Sequence, residues 1–205
     1  MFSFKNIFFM LSAGLLVLSV LAAEERQPRP ENKSLQRLMD GNKRFIKSAS
    51  KSLEGYHVDR LETLERQKPF AIILACSDSR VAPEIIFDQG IGDLFVIRVA
   101  GNILSETQWE TIKFGVEVLG AETILVLGHE ACGAVQAVLD KSKLNVPIIV
   151  EQVAKGIGDQ TDLLEATKAN VHYVAGKLKE RFKDNNVVIA GGIYKIVSGK
   201  VELLP

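Results

Sequence analysis

Four short, continuous apolar runs are separated along the chain by segments with helical periodicity. The runs span residues 70–75, 94–97, 123–128 and 187–192. Each is too short for a buried helix and is typical of a strand buried on both faces. Buried strands that alternate with helices build parallel sheets covered by helices on both faces. The pattern therefore predicts an α/β fold with a mostly parallel central sheet flanked by helices.

Three segments around these runs have the spacing of amphipathic helices. Apolar residues recur near helical spacing at 34–47, which predicts an N-terminal helical arm, and again at 165–183. The capping-box sequence at 105–108 opens a third helix that Gly120 ends. The mainly polar run 48–59 is predicted as a loop, and residues 200–204 as a strand at the sheet edge. We expect one domain over residues 34–205.

The first 33 residues do not share this alternation. Lys5 precedes an uncharged stretch of 17 residues, from 7 to 23, which ends in small side chains before Glu24. A basic start, an apolar middle and a small-residue end are typical of a secretory signal peptide. We predict a signal peptide at 1–23, a linker at 24–33, a periplasmic or secreted location, and no membrane contact after cleavage. An uncleaved membrane anchor is the alternative, since about 17 residues is the shortest helix that spans a bilayer.

Charge and cysteine content narrow the classes of function. The chain has 205 residues, with 25 basic and 25 acidic side chains. This balance leaves no positive field to hold a polyanion, so we expect no nucleic-acid partner. Two cysteines close at most one disulfide, which is too few for a disulfide scaffold. The two cysteines therefore need an explanation of their own.

Both cysteines lie where a predicted strand ends, which is where ligands bind in open parallel sheets. Cys76 directly follows the first run, and alternation in an extended segment would put Asp78 and Arg80 on the same side. His129 follows the third run, and a spacing of three in a first helical turn would bring it against Cys132. Two thiolates and one imidazole suit a catalytic Zn²⁺. A disulfide between the cysteines is the alternative in an oxidising compartment.

The two motifs resemble the zinc site of the β-class carbonic anhydrases. They are Cys-Ser-Asp-Ser-Arg-Val at 76–81 and Gly-His-Glu-Ala-Cys-Gly at 128–133, with further matching segments at 41–45, 83–84, 96–102 and 191–194. The resemblance implies a zinc enzyme that reversibly hydrates carbon dioxide to bicarbonate and a proton by zinc-hydroxide attack. It also implies an α/β fold built as a homodimer, which in many members pairs into tetramers.

The same resemblance assigns a role to individual residues. Asp78 and Arg80 form a dyad beside the metal, and Asp78 is a conditional fourth metal ligand. Gln67 matches the substrate-binding glutamine, and Gly133 matches the position whose backbone N–H points at substrate. The apolar walls of the substrate pocket match Phe95, Ala100 and Phe114.

Two other functions are compatible with these residues. A hydrolase of the same fold that acts on carbonyl sulfide or carbon disulfide would use the same metal ligands. A non-catalytic secreted module would use Cys76 and Cys132 for a structural disulfide or for zinc storage. Gln67, Asp78 and Arg80 would have no purpose in such a module, so we favour an enzyme.

Overall fold

The computed structural model describes residues 32–50 and 53–205. Its strands are arranged in the order β2-β1-β3-β4-β5, where the first four are parallel and β5 pairs antiparallel with β4. The mostly parallel sheet with a C-terminal edge strand is therefore confirmed. The strands are β1 (Ala71–Ala75), β2 (Leu94–Arg98), β3 (Thr123–His129), β4 (Val188–Tyr194) and β5 (Val201–Leu203).

The helices that surround the sheet include all three that the sequence predicts. They are α1 (Lys33–Ile46), α2 (Leu53–Glu62), α3 (Pro83–Ile86), α4 (Glu106–Glu117), α5 (Gly133–Leu139), α6 (Pro147–Ile157) and α7 (Leu163–Arg181), with a 3₁₀ turn at Ala100–Asn102. The capping box of α4 forms, since the Ser105 N–H donates to Gln108 Oε1 at 3.2 Å. At α7, Asp162 accepts from the N–H groups of the first turn.

The predicted loop at 48–59 is wrong, because α2 occupies its second half. Val58 and Leu61 of this helix are 46% and 47% exposed. Because these two apolar side chains are half exposed, the part of α2 whose side chains are described gives no buried apolar stripe for periodicity to reveal. The sequence pattern does not predict α3 or α6 either.

Alternation along β1 divides the core into two layers. Ile72 and Leu74 pack into the layer of α4 and α7. Ile73 packs into the opposite layer, with Leu38 of α1 and Ile86 of α3. All five residues of β1 are buried, as expected for a strand covered on both faces. Helices therefore flank the sheet on both sides, as predicted.

Helix α7 packs against two glycines of the sheet. A Cβ atom added at Gly128 of β3 or at Gly191 of β4 would lie 2.7 Å from a methyl group of Val171. Only glycine permits this approach, because any side chain would push the helix outward. The contact brings the buried side of α7 behind the carboxyl edge of the sheet, where the candidate site lies.

The predicted signal peptide at 1–23 lies outside the described residues, as does the predicted linker up to residue 31. In the part of the chain that is described, no helix has both the length and the apolar character needed to cross a bilayer.

Candidate metal centre

The structure brings together the three side chains predicted as metal ligands. Cys76 directly follows β1, His129 is the last residue of the neighbouring strand β3, and Cys132 directly precedes α5. Their ligand atoms all lie within 4.8 Å of one another, and all three residues are buried. Adjacent parallel strands that end at the same edge of the sheet produce this convergence.

A tight turn, rather than a helical turn, joins His129 to Cys132. His129 still belongs to β3, and Cys132 has extended backbone dihedrals before α5 begins. Between them, Ala131 has φ of +51°, in the left-handed region. The predicted helical turn is therefore wrong. The pairing of the two ligands survives because a four-residue turn also brings its first and last residues together.

The imidazole of His129 is oriented for metal binding. Its Nδ1 lies 2.8 Å from the backbone carbonyl oxygen of Glu130. That oxygen only accepts, so Nδ1 carries the ring hydrogen and Nε2 is left with a free lone pair. Among the described residues Nε2 has no hydrogen-bond partner, and it is buried. Since buried polar atoms are nearly always paired, this nitrogen fits a bound cation.

The two sulfurs are free thiols, so the structure contains no disulfide between them. The neighbouring Cys132 thiol lowers the pKa of Cys76 to about 4. In turn Cys76, together with burial, raises the pKa of Cys132. The two shifts favour ionisation of Cys76 over Cys132, and a bound divalent cation would favour loss of the Cys132 proton as well. Two thiolates and an imidazole are donors that zinc prefers.

Asp78 and Arg80 form an ion pair beside the three ligands. Arg80 donates from Nε to Asp78 Oδ1 at 2.9 Å and from Nη2 to Asp78 Oδ2 at 2.8 Å. These hydrogen bonds hold the pKa of Asp78 well below its usual value. Asp78 Oδ2 lies 3.9 Å from His129 Nε2. The dyad thus presents a permanent carboxylate to the metal position.

The backbone of the dyad is a turn and not the predicted extended segment. The Val81 N–H donates to the Asp78 carbonyl at 2.9 Å, and the Arg80 N–H donates to Asp78 Oδ1 at 3.0 Å. The expected alternation of side chains is therefore wrong here. The turn itself folds the guanidinium back onto the carboxylate.

Arg98 supports the same turn, a role that the local sequence pattern does not indicate. Its Nη2 donates to the Asp78 carbonyl at 2.7 Å and its Nε to the Cys76 carbonyl at 3.4 Å. The signal that could have found it is the register of the sheet, since Arg98 ends β2 opposite Ala75 of β1. On the other side, Arg80 Nη2 donates to the Ala131 carbonyl at 3.3 Å.

The predicted substrate-contacting residues fall into two groups. Gly133 follows Cys132, and Ala100 precedes Gly101, whose N–H donates to Cys76 Sγ at 3.3 Å. The other three lie toward the opposite end of the sheet. Gln67 is exposed and precedes β1, Phe95 pairs with Ile72 near the start of β1, and the Phe114 ring centroid lies 6.4 Å from that of Phe95.

Thiol and imidazole side chains at the carboxyl edge of a parallel sheet, with an ion-paired carboxylate beside them, are typical of α/β proteins that can bind a metal ion. A family model described as carbonic anhydrase matches residues 71–201. The chain is 37% identical over 179 residues to carbonic anhydrase 2 of Mycobacterium tuberculosis, covering 81% of this chain and 86% of that protein. The chain belongs to the β-carbonic anhydrase family and is an enzyme of that family.

Further relatives agree with this assignment. A carbonic anhydrase of Mycolicibacterium smegmatis is 36% identical over 186 residues, covering 81% of this chain and 89% of that protein. The solved β-carbonic anhydrase CcaA is 26% identical to this chain, with a TM-score of 0.63. The match covers 83% of this chain and 95% of the CcaA chain. These comparisons confirm the predicted family and fold.

Proposed function

We propose that the protein catalyses the reversible hydration of carbon dioxide to bicarbonate and a proton, with one Zn²⁺ held by Cys76, His129 and Cys132. The observation that carries this proposal is the cluster of two free thiols and the His129 imidazole, whose ligand atoms lie within 4.8 Å of one another. His129 Nε2 is buried and has no hydrogen-bond partner among the described residues. When bound, zinc supplies a nucleophile at neutral pH because it lowers the pKa of a coordinated water to about 7.

Asp78 orients the attacking water. Its carboxylate only accepts hydrogen bonds, so it accepts one from that water. This hydrogen bond turns a lone pair of the water oxygen toward the substrate carbon. Arg80 holds both carboxylate oxygens and prevents rotation of the carboxylate. To become a fourth metal ligand, Asp78 would have to weaken one of these bonds. We therefore assign it the orienting role in the active state.

Gly133 stabilises the charge that develops on a substrate oxygen. It is the first residue of α5, and the first N–H groups of a helix have no acceptor within the helix. A backbone N–H so close to the metal position is suited to donate to an oxygen that gains negative charge in the transition state. Ala100 begins the neighbouring 3₁₀ turn and contributes an apolar wall.

The direct test measures zinc content and carbon dioxide hydration on the same purified sample. We expect about one zinc per chain and hydration that a chelator abolishes and added zinc restores. Turnover of carbonyl sulfide and carbon disulfide, measured on the same sample, distinguishes a carbonic anhydrase from the hydrolase alternative. Faster turnover of these sulfur compounds than of carbon dioxide, or hydration by metal-free protein, would refute the proposal.

We propose further that the active protein is a homodimer joined through β2. This strand ends the sheet order, so one of its edges has no partner strand within the described residues. Its residues Leu94, Phe95 and Val96 are only half-buried, and Phe114 beside them is 47% exposed. An apolar strand with a free edge is a surface that pairs with another strand.

A two-fold axis at this edge would complete the site. It would pair β2 antiparallel with its copy, which puts the amino end of one sheet beside the carboxyl end of the other. Gln67 precedes β1, whereas Cys76 follows it, and the five residues of β1 span about 16 Å. We therefore propose that Gln67, Phe95 and Phe114 of one copy contact substrate at the metal centre of the other. Pairing of dimers into tetramers stays a prediction.

Mixed dimers test this shared site. Gln67→Ala and Asp78→Asn chains, each inactive alone, are unfolded, mixed in equal amounts and refolded. If Gln67 acts across the interface, each mixed dimer has one intact site, and the mixture recovers about a quarter of wild-type activity. Gln67→Ala mixed with Gln67→Ala/Asp78→Asn is the matched control and stays inactive. No recovery in the first mixture, with dimers confirmed by sedimentation, would show that Gln67 does not act in the partner's site.

We also propose that residues 1–23 direct export and are removed. Their basic, apolar and small-residue segments support this. N-terminal sequencing of the protein from cell fractions should find a chain that begins near residue 23 outside the cytoplasm. An uncut chain in the cytoplasm would contradict export.

A further inference from the structure

Helix α7 contributes a buried polar side chain behind the metal centre. Asn170 is fully buried, and its Nδ2 donates to the carbonyl oxygen of Gly101 at 2.8 Å. The N–H of the same glycine donates to Cys76 Sγ at 3.3 Å. One residue therefore connects Asn170 to a predicted metal ligand.

Gly101 needs such a restraint. Its φ is +68°, a conformation that glycine adopts easily. Because glycine has the greatest backbone freedom, it can also change to other backbone conformations easily. The Gly101 N–H and carbonyl belong to the two peptide planes on either side of its Cα. With both groups bonded, the rotation of the planes is set, and the N–H stays directed at the sulfur of Cys76.

Helix α6 holds Asn170 from the other side. A Cβ atom added at Gly156 would lie 2.1 Å from Asn170 Oδ1, so the two helices are in direct contact at this amide. Within the described residues Oδ1 has no hydrogen-bond partner. Burying an amide with an unpaired oxygen costs free energy that an apolar side chain of this size would not cost. Packing alone thus does not explain an asparagine here, whereas restraint of Gly101 does.

We propose that Asn170 is a positioning residue that directs the Gly101 N–H onto the Cys76 sulfur and thereby tunes this metal ligand. The proposal rests on the function proposed above, in which Cys76 binds the ion. A hydrogen bond to a thiolate lowers the energy of its lone pairs and reduces the charge it donates to a metal. The Gly101 N–H is one hydrogen bond removed from the ligand, and groups in that position typically change metal affinity about 10- to 100-fold when mutated.

The test substitutes Co²⁺ for the native metal and replaces Asn170 with leucine. Leucine has a similar branched shape but no donor for the Gly101 carbonyl. We expect the sulfur-to-cobalt charge-transfer band to move to longer wavelength, because the sulfur then donates more charge. The Zn²⁺ affinity of the metal-free protein, measured against a chromophoric chelator, should fall about 10-fold, because the sulfur is no longer held in position for the ion. In Gly156→Ala, the added methyl group on α6 would push the Asn170 amide away, so the band should move in the same direction.

Thr167→Val is the matched control. Thr167 is buried on the same helix, and its hydroxyl donates to the Leu163 carbonyl within that helix. Its loss should leave both the band and the zinc affinity at their wild-type values. If Asn170→Leu keeps the wild-type band and affinity, or if Thr167→Val shows the same shift, the proposed role of Asn170 is wrong, while the metal site is unaffected. Absence of a sulfur-to-cobalt band in the wild-type protein would instead overturn the metal site itself.

Discussion

Replacing Asp78 with asparagine is expected to lower kcat for carbon dioxide hydration by about 10²-fold while zinc remains bound, because the attacking water loses its orientation. Asparagine keeps the shape of the side chain but replaces one acceptor oxygen with an NH₂ donor. The amide would face the donors of Arg80 and would lose one of its two hydrogen bonds. The water would no longer meet a fixed acceptor, whereas Cys76, His129 and Cys132 would still hold the metal.

Steady-state hydration rates and zinc content of the same preparation test this expectation. Asp40→Asn is the matched control, because Asp40 also pairs with a nearby basic residue, Lys43, but lies on α1 with its side chain 46% exposed. Its kcat should equal that of the wild type. An Asp78→Asn enzyme with wild-type kcat would remove Asp78 from the mechanism, and loss of zinc would mean that Asp78 is itself a ligand.

Removing a ligand should have the largest effect on metal binding. In Cys132→Ser or His129→Ala, we expect zinc affinity to fall by more than about 100-fold, because even groups one bond beyond the ligands change it about 10- to 100-fold. A serine hydroxyl keeps its proton at neutral pH, so it does not replace a thiolate. Hydration should be lost together with the metal.

Thermal unfolding provides a second measurement on the same variants. A metal that binds only the folded state raises Tm, so added zinc should raise the Tm of the metal-free wild type and not that of Cys132→Ser. His172→Ala is the control for His129→Ala, since His172 is exposed on α7 and lies outside the cluster. Metal-free Cys132→Ser that hydrates carbon dioxide at the wild-type rate would show that the ligand set is wrong.

The four parallel strands could be predicted to within two residues at each end because both faces of each are covered. A strand such as β1, buried at all five positions, leaves a continuous apolar run in the sequence. Helix α2 leaves no such signal, because its apolar residues Val58 and Leu61 face solvent. Burial, and not secondary structure itself, is what the hydrophobic pattern reports.

The sequence by itself determined which chemical groups the site contains and where along the chain they occur. Cys76 and His129 each directly follow an apolar run that predicts a buried strand, and parallel strands end at a common edge of the sheet. The order of the strands and the packing of α7 decided the rest. They place Arg98 on the carbonyls of Cys76 and Asp78, and Asn170 on Gly101, 69 residues away. Local periodicity carries no information about such contacts, because they depend on which distant backbone groups the folded sheet and helices bring within hydrogen-bond distance.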